Sequence, residues 1–160
     1  MKTEAQAEHQ WLHKLIGDWT YESEMSMGPD QPSEKYKGTE SVRPFGDLWV
    51  MAEGKGDMPG GEVGRMLMTL GYDPRKKRYV GTWVGSMMPM VWVYEGEVDA
   101  GGRVLPLNAE GPSMSENGGT AKYQDVIEFL SDDHRTFTGR MLGDDGKWQT
   151  FMTTHYRRKK

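Results

Sequence analysis

Beyond Gly17 the chain reads as short runs of alternating apolar and polar residues, each ended by residues that favour turns. Alternation with period two places one set of side chains on a buried face and the other in solvent, so these runs predict β-strands. The predicted strands occupy 18–27, 35–45, 47–55, 64–72, 78–88, 90–98, 103–109, 120–130, 134–142 and 147–157. Between them lie Gly-Pro-Asp-Gln-Pro at 28–32, Phe45-Gly46-Asp47, Met58-Pro59-Gly60-Gly61 and Asp73-Pro74-Arg75-Lys76-Lys77. Asp99-Ala100-Gly101-Gly102, a polar loop at 111–119, Ser131-Asp132-Asp133 and Asp144-Asp145-Gly146 complete the set. Each carries turn chemistry. With no helices between strands, the arrangement is an antiparallel up-and-down meander rather than a βαβ sheet. A ten-strand meander leaves two unpaired edges, and closing it on itself removes them. The expected fold is therefore all-β: one antiparallel barrel of about ten strands, residues 1–160 in a single domain.

One segment follows a different period. Ala5, His9, Leu12 and Ile16 recur at three- and four-residue spacing, with Trp11 and Leu15 widening the stripe, which predicts a helix over 3–16. Gly17 then stops it. So short a helix is marginal alone, and it is expected to cap one end of the barrel.

Two hairpins fix the inward face. Across Asp73-Pro74, pairing Tyr72 with Tyr79 puts Met66, Met68, Leu70, Gly81, Trp83 and Gly85 on one side. Across Met88-Pro89, pairing Met87 with Met90 sets Gly85 opposite Trp92 and Trp83 opposite Tyr94. Arg65, Thr69, Thr82, Ser86 and Glu95 fall on the other, solvated side. Gly81 and Gly85 beside large indoles leave room for ring stacking or for a guest. A turn at Ser131-Asp132-Asp133 groups Tyr123, Asp125, Ile127, Phe129, Phe137 and Met141. The last hairpin has no such anchor, so the side taken by His155 stays open.

Composition narrows the function. Hydrophobic residues are 36% of the chain, yet 11% are aromatic and six are Trp, which describes a thin, aromatic-rich interior rather than disorder. The net charge of −4 comes from interspersed acids and bases, so no nucleic-acid stripe is expected. The tail Arg157-Arg158-Lys159-Lys160 reads as a solubilising end. The absence of Cys excludes disulfides, thiolate nucleophiles, Cys-ligated zinc and iron–sulfur clusters. The first residues lack the apolar core of a signal peptide, and the apolar stretch Met87–Tyr94 is too short to cross a bilayer. A cytoplasmic protein without a membrane partner is the expectation.

The ordered set His13-Lys14-Leu15-Ile16-Gly17-Asp18-Trp19, Gly46-Asp47-Leu48-Trp49 with Glu53, and Leu70-Gly71-Tyr72-Asp73-Pro74 resembles a bacterial family. Tyr79-Val80-Gly81-Thr82-Trp83 and Thr154-His155-Tyr156-Arg157-Arg158-Lys159 continue the match to domain-of-unknown-function family 1579. The resemblance implies a lipocalin-like, calycin-like barrel and no activity. Family members often carry an Asp where this chain has Gly85, so no role of that Asp transfers here. Leu15-Ile16-Gly17-Asp18-Trp19 is also similar to the start of nitrobindin-type and fatty-acid-binding-protein barrels. Nitrobindins hold haem through a late His, and His155 sits at a comparable place.

The remaining candidates are acids, histidines and methionines. Glu40, Glu53 and Asp125 each share parity with apolar neighbours, and a carboxylate inside a barrel must be paired or have a raised pKa. Each could orient a ligand, act as acid or base, or pair with Arg43 or Arg140. His9 and His13, four apart, lack a third ligand for a metal and read as exposed or capping residues. His134 belongs to a solvated turn. Among thirteen Met, the cluster Met66, Met68, Met87, Met88 and Met90 suits an adaptable apolar wall. The expected site is a cavity formed by Glu40, Trp49, Glu53, Met66, Met68, Trp83, Met87, Trp92, Tyr94, Tyr123 and Asp125. It would bind a small apolar or aromatic molecule without metal or cofactor. Three alternatives stand beside it: haem through His155, a small enzyme using Glu40, Glu53 or Asp125, and a filled barrel acting through its surface as a homodimer.

Overall fold

The computed structural model describes residues 3–26, 32–114 and 118–160. The first predicted turn and the middle of the 111–119 loop lie largely outside them. Ten antiparallel strands close into one barrel, each pairing with its sequence neighbours and the first with the last. They are β1 (Gly17–Met25), β2 (Glu34–Phe45), β3 (Trp49–Asp57), β4 (Val63–Asp73), β5 (Arg78–Gly85), β6 (Trp92–Gly96), β7 (Val104–Pro112), β8 (Thr120–Ser131), β9 (His134–Leu142) and β10 (Trp148–Arg158). Closure leaves no open sheet edge.

The helix is shorter than its apolar spacing predicts. Residues Ala7–Leu12 form α1, and a 3₁₀ turn follows over His13–Leu15. It is capped at Gln6 and starts at Ala7 rather than Thr3, with His9 reaching back to accept the Gln6 backbone N–H at 3.0 Å. The other His9 ring nitrogen meets the Tyr72 carbonyl at 3.1 Å, so this buried histidine ties α1 to β4. Trp11 Nε1 donates to the Gly102 carbonyl at 2.7 Å, and the Tyr79 hydroxyl donates to the Glu8 carbonyl at 2.9 Å. With Trp11, Leu12 and Leu15 buried, the helix plugs one end of the barrel.

Inside, the strands follow period two. Trp19, Tyr21 and Ser23 of β1 are buried between exposed neighbours, as are Val50, Ala52, Gly54 and Gly56 of β3. Gly38 and Gly56 lie where a Cβ would collide with the Tyr21 hydroxyl, so the missing side chains make space for that ring. The Tyr72↔Tyr79 register is as predicted; Tyr123↔Met141 and Ile127↔Phe137 keep the residues grouped by the Ser131-Asp133 turn on one face, with a bulge before Ser131↔His134. The β5–β6 hairpin differs: Trp83 pairs with Trp92, not Tyr94. Residues 86–91 form a longer connection than the Met88-Pro89 turn would allow. The slip is two residues, so every side chain keeps its face.

Candidate functional site

The interior site grows from a charge pair. Arg135 of β9 and Glu40 of β2 point inward and form an ion pair across the barrel, with side chains 4% and 15% exposed. The Arg135 guanidinium lies over the Tyr156 ring at 4.0 Å and the Trp19 ring at 4.6 Å. Its Nε is buried and has no hydrogen-bond partner among the described residues. Buried ions are expensive unless paired and fully bonded, so an orphan donor here stands out. Burial, and then the Glu40 charge, hold the Tyr156 hydroxyl well above its ordinary pKa. Tyr21, raised by the same causes, completes the polar wall.

This wall faces a cavity of about 40 Å³, whose other sides include Val42, Val50, Ala52, Gly54, Met66, Met68, Leu70, Trp83 and Phe137. The volume is room for a few waters, far below a drug-sized pocket. Met66 and Met68 are only half-buried, and thioether side chains repack at low cost. Where the helix does not plug the barrel, Met58 and Met87 lie against Gly64, and Met87 also covers Gly85 beside the Trp83 ring.

A second acid lies on the same inward face. Asp125 of β8 accepts a hydrogen bond from the Tyr94 hydroxyl, and burial pushes its carboxyl up to about 6. Burial and the Asp125 charge in turn push the Tyr94 phenol upward. Gly139 faces Asp125 across the β8–β9 pair. Trp92 and Tyr123 stack edge to face at 5.0 Å, and Phe151 meets Tyr123 at 6.1 Å.

Of the residues expected to form the site, Glu40, Met66, Met68 and Trp83 line the cavity. Tyr94, Tyr123, Asp125 and Trp92 belong to the same inward face without bordering it. Trp49 and Glu53 are corrections: both lie on the outer face of β3. The small residues Ala52, Gly54 and Gly56 take the inner positions, and the Trp49 ring instead packs over Gly71 from outside. Met87 sits in the 86–91 connection, 39% exposed, at the rim rather than on a wall. His155 is also outward, its Nδ1 meeting His134 Nε2 at 2.9 Å, so it offers the interior no axial ligand. Burial, and then Arg157 and His155, lower the pKa of His134. Arg135, Tyr21 and Tyr156 were not anticipated; the signal that could have found Arg135 is its parity with the apolar Phe137 two residues on, and it pairs with Phe129 in the β8–β9 ladder. Among the described residues, no group of three or more His, Asp or Glu is placed to hold a metal ion.

The family described as a protein of unknown function, DUF1579, matches residues 4–158. No curated protein matches the chain. Solved structures that share its architecture include the following three. Rv2717c from M. tuberculosis is 12% identical, with 98% of this chain and 100% of that one covered at a TM-score of 0.66. The S-type phycobiliprotein lyase CPES from Guillardia theta is 16% identical, with 98% and 99% covered and a TM-score of 0.61. EF1p2_mFAP2b bound to DFHBI is 14% identical, with 96% and 100% covered and a TM-score of 0.51. At these identities the likeness is one of fold.

Proposed function

The chain belongs to the DUF1579 family, and on that premise we propose that its barrel binds a small, largely apolar or aromatic molecule carrying one hydrogen-bond acceptor. The observation that carries the reading is the Nε of Arg135, without a hydrogen-bond partner among the described residues and buried on the wall of a cavity whose other sides are mostly aliphatic and aromatic, with Met66, Met68 and Trp83 among them. An acceptor on the guest would satisfy that donor, while Met66 and Met68 move aside for its apolar body. Both ligand-bearing and lyase barrels occur among the neighbours of this fold, which agrees with the proposal without identifying the guest. An enzymatic role has less support. Glu40 is held in its ion pair, Glu53 is on the outside, and Asp125 has an acid's raised pKa but does not border the cavity.

The test is native mass spectrometry of the protein from its own host, followed by titration with the neutral dye N-phenyl-1-naphthylamine. A retained small molecule, or dye binding that Ala52→Val abolishes by filling the cavity, supports the proposal. A clean apo mass together with dye binding indifferent to Ala52→Val would overturn it.

A further inference from the structure

A larger concave space lies outside the barrel, on the helix end. It measures about 380 Å³, against about 40 Å³ inside, and falls in the range of small-molecule sites. Its walls come from the 3₁₀ turn, the loop before β7, the β8–β9 turn and the end of β10. Ile16, Phe129 and the 44% exposed Leu130 supply apolar surface.

The charges around it are unequally committed. Arg158 is fully engaged: it bonds the Asp133 carboxylate at 3.2 Å and the carbonyls of Ile16, Lys14 and Asp132 at 2.7, 3.1 and 3.0 Å. It therefore fixes the frame. Arg103 uses Nε on the Phe129 carbonyl at 3.1 Å, and its charge helps to lower the Asp99 carboxyl without a salt bridge to it. The Lys14 ammonium forms no salt bridge among the described residues; it sits 5.9 Å from the Trp11 ring centre and 6.0 Å from that of Phe129. His13 adds a further ring, and Asp132 is the one carboxylate on the lining. Two cationic heads, neither in a salt bridge among the described residues, thus flank an apolar floor, with the Asp99 carboxylate close enough to Arg103 to be lowered by its charge.

We propose that this cleft binds a small organic anion, its carboxylate, sulfonate or phosphate held by Lys14 and Arg103 and its apolar body resting on Leu130 and Ile16. The site is independent of the barrel interior, because the cleft and the cavity share no lining residue.

The experiment compares two probes on the whole protein: 8-anilinonaphthalene-1-sulfonate and its neutral counterpart N-phenyl-1-naphthylamine. The sulfonate is expected to bind saturably, at least tenfold more weakly in Lys14→Ala/Arg103→Ala and more weakly in 1 M NaCl. Lys14→Arg/Arg103→Lys should retain it, which separates charge from folding. Ala52→Val should leave it unchanged while affecting the neutral probe, so failure of the interior reading is distinguishable from failure here. Sulfonate affinity unchanged in the double alanine variant, or lowered equally for both probes, would overturn the proposal. So would co-sedimentation with phosphatidylglycerol vesicles in the absence of saturable binding by the free sulfonate, which would assign the cleft to a lipid surface.

Discussion

Arg135 concentrates the physics of single side chains in this protein. Its charge is 4% exposed, neutralised by Glu40 and stacked on two rings. Removing one ion of such a pair strands the other, so Arg135→Met is expected to lower unfolding free energy by about 3–5 kcal/mol in urea titrations. Glu40→Met/Arg135→Met should regain much of that loss, since the desolvated charge is then gone from both sides. Asp125 behaves in the opposite sense to a paired carboxylate. Its pKa rises from 3.8 to about 6 on folding, so the folded chain holds a proton that the unfolded chain has released. Its contribution to stability is therefore lost as pH rises from about 4 to about 6, and the penalty is complete above that window. The shift corresponds to about 3 kcal/mol. Asp125→Asn keeps an acceptor for Tyr94, and the stability difference between variant and wild type should grow by about that amount from pH 4 to pH 7. The sequence marked Glu40 and Asp125 as inward acids on parity alone. The same parity argument failed for Glu53, because β3 turns its smallest residues inward and leaves Trp49 and Met51 outside.

Among the elements, α1 carries more than its length suggests. Six residues of helix are unstable alone, yet Trp11 contacts the Tyr79 and Phe129 rings at 5.6 Å each and bonds Gly102. Trp11→Ala should cost about 3–5 kcal/mol by thermal or chemical denaturation, with the transition still cooperative. The seam between β6 and β7 is the weakest in the barrel. Its ladder holds the single pair Glu95↔Asn108, whereas β7 and β8 pair continuously from Val104↔Glu128 to Pro112↔Thr120. Hydrogen exchange should accordingly open Val93 and Tyr94 before the amides of β8 and β9. Turn residues made the Asp73-Pro74 hairpin legible with its register and the Ser131-Asp133 hairpin legible in its inward face. Met88-Pro89 misled because Pro marks a break in the strand without setting the length of the loop.

For the whole molecule, closure is the governing fact, and its consequences divide cleanly. The outward His155 and the 40 Å³ interior predict that added hemin gives a spectrum indifferent to His155→Ala. The sequence by itself determined the strand count, the antiparallel order and the presence of one short N-terminal helix. Those follow from local quantities: side-chain period, turn chemistry and the short reach of each connection. It also determined which face of β4, β5, β8 and β9 points inward, since an even slip in register changes partners without changing faces. What only the tertiary structure decided are the contacts between distant strands. Glu40 and Arg135 are ninety-five positions apart, and nothing local in either strand names the other as its partner. The size of the cavity is likewise a property of the closed barrel, because volume depends on how side chains from all ten strands meet at its centre. The cleft at the helix end depends on the same closure, which brings residues from both ends of the chain together around Arg158.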